Sequence, residues 1–142
     1  MGYVNTQVTL KNIRDVLNAK KGTLPEDKIR QVTIDVMVDT GTSMLVINEP
    51  LFQQLGLDVI EERETTFAAA SLRRNDTKET CKVTEPLMIK WEDRFTTMSA
   101  LVVNNVPDLL LGVLPLEGMD LIVDTVNQKL VGAHGSKPVY RV

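Results

Sequence analysis

Most of this chain alternates apolar and polar residues with a period of two, the spacing of a strand with one buried face. The cleanest stretch starts at Ile29. Val32, Ile34, Val36 and Val38 fall on one side, and Gln31, Thr33 and Asp35 on the other. Tyr3 to Leu10, rich in Val, Thr and Tyr, predicts an earlier strand. Gly22-Thr23-Leu24-Pro25-Glu26-Asp27 is a turn, and the charges between Ala19 and Ile29 predict a solvated hairpin loop. After Gly41, Met44-Leu45-Val46-Ile47 is a short apolar strand. Asn48 or Glu49 then opens a helix, with Pro50 suited to its first turn and Gly56 placed to end it. That helix presents Leu51, Phe52 and Leu55 to the core.

Further along, Asp58 to Ala70 and Lys78 to Trp91 read as two strands flanking the polar tip Leu72-Arg73-Arg74-Asn75-Asp76-Thr77, and Phe95 to Val103 as another. Asp108-Leu109-Leu110-Leu111-Gly112 is an apolar strand that stops at glycine. Val113 to Met119 predicts one or two helical turns. Leu121-Ile122-Val123 and Lys129-Leu130-Val131 close the pattern as strands, and Gly132-Ala133-His134-Gly135 reads as a flexible tail. The sum is a mainly β chain, residues 1–142 forming a single domain, with short helices after two strand–glycine junctions.

Composition narrows the function classes. A chain of 142 residues can bury roughly two-thirds of its unfolded surface in one core. A net charge of -3, with Lys20-Lys21 as the one basic cluster, argues against nucleic-acid binding. The longest apolar run, Leu109 to Leu116, is broken by Gly112 and Pro115 and is too short to span a bilayer. Cys81 alone forms no internal disulfide and suits a reducing compartment. No basic segment leading into an apolar stretch opens the chain, so no signal peptide is expected. Met1 to Thr6 formally fits a myristoylation pattern but reads more simply as the lead into the first strand. The sequon Asn75-Asp76-Thr77 matters only in a secreted setting. A cytoplasmic protein without membrane partners is the expectation.

The candidate chemistry is sparse. One His and one Cys do not make an ordinary zinc site, and no glycine loop cradles a phosphate, so no metal or cofactor is expected. His134, flanked by glycines, reads as a surface histidine, since a general base needs a rigid imidazole. Glu61-Glu62 and Glu117 to Asp120 lack the spacing of a calcium loop and read as solvated faces. Asp39-Thr40-Gly41 stands apart. It puts a carboxylate at the end of an apolar strand, on a turn with a permissive glycine and hydroxyl neighbours. As a local feature it is equally a turn acid with Thr42 as its cap.

Two further segments settle how that tripeptide is read. Asp39-Thr40-Gly41 precedes a second apolar strand and pairs with a downstream Leu110-Leu111-Gly112 that leads into a helix. Leu45-Val46-Ile47 with the segment from Glu49 to Leu57, and Leu110 to Glu117 with Met119-Asp120-Leu121, extend the pattern. From about Ile29 to Val131 the chain resembles the retropepsin-like aspartic proteases, in a bacterial single-domain branch. The resemblance implies a closed or partly open β-barrel of the acid-protease type with one or two short helices. It also implies an aspartic endopeptidase acting on peptide or protein substrates, with Asp39 catalytic in an active-site loop of Thr40, Gly41 and Thr42. Leu110, Leu111 and Gly112 would form the strand that threads behind that loop.

The chemistry needs two carboxyls sharing a proton, one to activate water and one to protonate the carbonyl oxygen. One such loop per chain therefore implies a homodimer in which two copies of Asp39 meet on the two-fold axis. By the same resemblance Thr40 bonds across that axis, while the Thr42 hydroxyl is placed to reach the outer oxygen of Asp39. Val123-Asp124-Thr125 echoes the motif, but Val126 replaces the glycine, and Asp124 reads as a turn residue. The flap departs from the family. The hairpin with Leu72, Arg73, Arg74 and Asn75 is the candidate, yet no glycine lies from Leu57 through Leu111. Arg73 and Arg74 there would favour acidic or polar substrates. The alternative reading is a catalytically weak or inactive dimeric peptide-binding module on the same fold.

Overall fold

The computed structural model of the chain describes residues 4–66, 78–104 and 108–140. Strand β1 (Val4–Lys11) pairs antiparallel along its whole length with β2 (Gln31–Val38), with Val4 opposite Val38 and Lys11 opposite Gln31. The expected alternation in β2 holds: Val36 and Val38 are buried, while Gln31, Thr33 and Asp35 are exposed. The connection between the two strands is not a plain hairpin loop. It opens with helix α1 (Ile13–Lys20), and the loop expected from Ala19 to Ile29 shortens to a turn and a single 3-10 turn at Glu26–Lys28.

Local chemistry explains that helix. Asn12 is its N-cap and accepts from the Asp15 amide at 3.1 Å. The Asn12 side chain is fully buried and also donates to the Leu55 carbonyl at 2.8 Å. Asp15 in turn holds Arg30, at the root of β2, through two guanidinium bonds of 2.8 and 3.0 Å. This pairing, foremost the Arg30 hydrogen bonds, holds the Asp15 carboxyl below its ordinary range.

After β3 (Leu45–Ile47), helix α2 (Glu49–Leu55) forms as its sequence predicts. Asn48 caps it through the Leu51 amide, Pro50 lies in the first turn, and Gly56 ends it in the left-handed region with φ 63. Leu51, Phe52 and Leu55 are buried. The next hairpin, β4 (Val59–Thr66) and β5 (Lys78–Thr84), matches the expected strand pair at its base. The candidate flap residues Leu72, Arg73, Arg74 and Asn75 lie outside the described residues, as do Ala68 to Ala70 and the sequon.

Two long predicted strands are each divided. Lys78 to Trp91 breaks at Glu85-Pro86 into β5 and β6 (Leu87–Trp91). Phe95 to Val103 breaks at Ser99 into β7 (Arg94–Met98) and β8 (Ala100–Val102). The halves serve opposite ends of one sheet: β5 pairs with β4 and β8, whereas β6 pairs with β1 and β7. Buried Thr84 ties the two corners together. Its hydroxyl accepts from the Ala100 amide at 3.0 Å and donates to the Glu85 carbonyl at 2.7 Å. Pro86 has no amide to continue a ladder, which fits a corner.

The chain ends with β9 (Leu110–Leu111), α3 (Val113–Gly118) and the hairpin β10 (Leu121–Asp124) and β11 (Lys129–Gly132). The nine-stranded sheet has the order β4-β5-β8-β3-β9-β2-β1-β6-β7, and its two ends do not pair, so the barrel is of the partly open kind. One main core contains Leu10, Val36, Leu45, Leu55, Ile89 and Leu111, and α3 adds Leu116 to it. No helix among the described residues is long and apolar enough to cross a membrane.

The segment after β11 is tied down where a loose tail was expected. Gly132 belongs to β11, and the Ala133 amide donates to the Asp120 carbonyl at 2.8 Å. Asp120 is likewise no member of a solvated acidic face. It is 8% exposed, and its carboxylate accepts from the Val139 amide at 2.9 Å and from His134 Nδ1 at 2.9 Å. Those partners, led by the Val139 amide, hold its carboxyl below the ordinary range. Buried Arg94 completes the anchor. It donates to the carbonyls of Met119 and Asp120 at 3.0 and 2.8 Å and to that of Gly135.

Candidate active site

β9 is the strand that builds the site. It lies between β2 and β3, parallel to β2 (Met37 beside Leu110, Val38 beside Leu111) and antiparallel to β3 (Leu45 beside Leu111, Val46 beside Leu110). The loop from β2 to β3 must therefore pass over the end of β9. That loop is residues 39–44. The Asp39 amide extends the β2 ladder by donating to the Leu111 carbonyl at 3.0 Å.

Gly112 sets how closely the loop can approach. A Cβ there would stand 2.5 Å from the Thr42 carbonyl oxygen and 2.6 Å from that of Met44. Both obstacles are backbone, and neither can move aside cheaply. With glycine in place, the Val113 amide donates to the Thr42 carbonyl at 2.8 Å and the Leu114 amide to the Ser43 carbonyl at 2.9 Å. The start of α3 thus fixes the far side of the loop. Leu110 and Leu111 form β9 and Gly112 follows it, and the two leucines do different things. Leu111 is fully buried in the main core, while half-buried Leu110 faces the other way.

Within the loop, Asp39 is half-buried and Thr40 and Gly41 are exposed. The Asp39 carboxylate is held on both oxygens: Oδ1 accepts from the Gly41 amide at 2.9 Å, and Oδ2 accepts from the Thr42 hydroxyl at 2.9 Å. The Thr42 amide closes the turn onto the Asp39 carbonyl at 3.0 Å. The three loop residues named beside Asp39 are all brought to it or set at its rim. The candidate flap residues are the ones whose placement is not described.

Pairing registers give Leu110 neighbours that the sequence did not single out as site residues. Residues directly opposite in a ladder share a face, so Met37, Leu110, Val46, Leu101, Val83 and Glu61 form one row across β2, β9, β3, β8, β5 and β4. Asp39 leaves β2 two positions beyond Met37, on that same side. The row is apolar until its last member. Val46 packs there with Cys81 and Val103 in a second cluster, and Leu101 and Leu110 lie against it. Alternation in β2 could have flagged Met37, but the others depend on register between distant segments.

Asp124 and His134 are committed elsewhere. Asp124, the echo of the motif, accepts from the amides of Val126 and Asn127 at 3.0 and 3.1 Å and from the Asn127 side chain at 2.8 Å. Asn127 first, and the amides with it, hold its carboxyl below the ordinary range. His134 is exposed, with its side chain 60% accessible, and bonds Asp120. No group of three or more His, Cys, Asp or Glu among the described residues could hold a metal ion.

Comparison with known proteins adds the family. The chain matches the family model for aspartyl proteases over residues 27–113, from the approach to β2 through the first residue of α3. Its fold is similar to the retroviral protease-like domain of Ddi1 from Leishmania major, with a TM-score of 0.53, 13% identity, and coverage of 99% of this chain and 96% of that one. It is also similar to the EIAV protease in its inhibitor complex, with a TM-score of 0.50, 17% identity, and coverage of 82% and 86%. A retropepsin-like aspartic protease from Rickettsia conorii aligns at 20% identity over 87% of this chain and 90% of that one, with a TM-score of 0.44. No curated protein matches the sequence. The likenesses to the Ddi1 domain and the EIAV protease speak for the fold, and the family match spans more than half of the chain, across the Asp39 loop and β9 alike. The chain belongs to the aspartyl protease family.

Proposed function

We propose that the protein is a homodimeric aspartic endopeptidase, a single domain per subunit, in which the two copies of Asp39 share a proton across a two-fold axis. One observation carries this reading. Each chain presents a single Asp-Thr-Gly loop whose carboxylate is held by the Gly41 amide and the Thr42 hydroxyl, with Thr40 and Gly41 exposed beside it. The similar motif at Asp124 is consumed by its own turn and offers no second half-site within the chain.

In this mechanism the ionised carboxylate takes a proton from water as the water attacks the peptide carbonyl. The protonated carboxyl donates to the carbonyl oxygen, and collapse of the tetrahedral intermediate delivers a proton to the leaving nitrogen. Like charges side by side keep one carboxyl protonated, so the pair titrates as a unit. Thr40, exposed at the loop tip, is placed to bond its counterpart in the partner. The substrate is an extended peptide, bound by strand-like pairing beneath the β4–β5 hairpin. Half-buried Met37, Leu110 and Leu101 give it an apolar floor, which favours apolar side chains next to the scissile bond. No metal, cofactor or nucleic acid enters this scheme, and a single cysteine and a net charge of -3 fit a cytoplasmic enzyme.

The deciding experiment incubates the protein with a denatured protein substrate from mildly acidic to neutral pH. It runs beside Asp39→Asn and beside an inhibitor that mimics the tetrahedral intermediate, with sedimentation to read the oligomeric state. Cleavage by a dimer, lost in the variant and blocked by the inhibitor, is the expected result. Cleavage that survives Asp39→Asn defeats the reading. Peptide binding by a dimer that never cleaves would instead support a binding module on the same fold.

A further inference from the structure

The row that carries the apolar floor does not end apolar. Its last strand, β4, is an edge of the sheet and is the one strand of the row without a buried residue among those described. The β4–β5 register places Glu61 opposite Val83 and Arg63 opposite Cys81. Both charged residues therefore share the face that holds Val46, Leu101 and Leu110. Glu62 and Glu64 take the opposite face, that of Lys82, which pairs with Glu49 and stacks over the Phe52 ring on α2. Arg63 is thus the cation that β4 turns toward the Asp39 side, and Glu61 is its ion-pair partner. Their side chains are 54% and 46% accessible, so an incoming peptide can reach either.

Resting on the peptidase reading above, we propose that Arg63 is a specificity-determining residue that takes an acidic side chain of the bound peptide at an outer position. Glu61 is its resting ion-pair partner, whose negative charge weakens the pull on a second carboxylate. A guanidinium carries five donors in a planar fork and can serve two carboxylates at once, so Glu61 need not leave when the peptide carboxylate arrives. Five strand steps separate β2 from β4. At about 4.8 Å each they set an upper limit of about 24 Å, the reach of about seven extended residues from the scissile bond. Sheet curvature shortens that distance. An ion pair made equally to the bound peptide and to its transition state lowers KM and leaves kcat alone.

The test uses the full chain and synthetic peptides with one apolar central sequence and Asp, Ser or Lys at successive outer positions. Wild type, Arg63→Glu, Glu61→Gln and Asp39→Asn are compared. Wild type should favour the acidic peptides over the lysine peptides by about two- to fivefold in kcat/KM, the scale of an exposed ion pair. The difference should lie in KM and shrink as salt rises. Arg63→Glu should invert the order, and Glu61→Gln should widen it, with unchanged thermal unfolding in both. An order that Arg63→Glu leaves unmoved overturns the proposal and makes the pair an edge-strand charge that merely repels other strands. Should wild type cleave no more than Asp39→Asn, the peptidase reading fails by itself. The same peptides, fluorescently labelled, then report affinity, and an affinity order unchanged in Arg63→Glu still overturns the role of Arg63.

Discussion

Val38-Asp39-Thr40 and Val123-Asp124-Thr125 are the same three residues at the end of a strand, followed once by Gly41 and once by Val126. The structure gives them different surroundings. Asp124 ends the first strand of a separate two-stranded hairpin, and the turn to Lys129 takes both of its oxygens for itself. Asp39 ends a strand in the middle of a nine-stranded sheet, and its loop is held from behind by β9 and the start of α3. Three residues of motif do not make a site. What sets the Asp39 loop apart is the second segment, Leu110-Leu111-Gly112, whose glycine leaves room for a loop backbone that any Cβ there would strike.

The largest difference between the two aspartates should appear in activity. Asp39→Asn removes the shared proton and should lower peptide cleavage by at least about a thousandfold, within the range of positioned acid–base catalysis. Asp124→Asn should leave turnover within about twofold, because none of its contacts reaches the Asp39 loop. Comparable losses in both variants, measured on one peptide, would erase the distinction between the two aspartates.

The glycines behind and within the motifs sharpen it further. Gly112→Ala drives a methyl into the carbonyls of Thr42 and Met44 and should cost about 2 kcal/mol or more, since backbone has to yield. Thermal unfolding and cleavage should fall together. Val126→Gly restores the Asp-Thr-Gly spelling at Asp124, where Val126 is 88% exposed. It should shift stability by no more than about 1 kcal/mol and confer no activity on Asp39→Asn. Rescue by that substitution would show that the tripeptide alone suffices.

A smaller effect tests the loop's own chemistry. Thr42→Val keeps the shape of the side chain and removes the hydroxyl that donates to Asp39 Oδ2. Hydrogen bonds to charged groups contribute about 1.5–3 kcal/mol, so kcat/KM should fall by about ten- to a hundredfold. Thr42→Ser should restore most of it. If valine is as active as threonine, the outer oxygen of Asp39 needs no donor.

Much of this arrangement was legible in the sequence, and the exceptions share a cause. β2, α2 and the loop are specified locally, by alternation, by Asn48, Pro50 and Gly56, and by an apolar run that ends at Asp39. The partner of a strand is not local. Lys78 to Trp91 and Phe95 to Val103 each read as one element because hydrophobicity continues through a corner, and only Pro86 marked either break. Helix α1 carries Ile13, Val16 and Leu17 at helical spacing, but eight residues are a short signal, and the helix is held by Leu55 and Arg30 from other elements. Asp120 looked solvated among neighbouring acids. Its burial depends on Val139 and His134, which fold back to it from beyond β11.

The finest contrast between the two motifs lies in the titration of Asp124. Its carboxyl is held below the ordinary range first by the Asn127 side chain, then by the Asn127 amide, with the Val126 amide and Lys129 adding to the effect. A lowered carboxyl stabilises the fold at pH values above its unfolded pKa, and that contribution is lost as the pH falls through the folded pKa. The hairpin should therefore loosen only in strong acid, below the ordinary aspartate range. Asn127→Ala removes the leading cause and should raise the Asp124 midpoint toward that of an ordinary aspartate, read from carboxyl carbon shifts across an acid titration. The Asp39 loop shares no contact with Asn127, so its signals should not move. An Asp124 midpoint that stays put in Asn127→Ala would mean that its turn is held by the backbone alone.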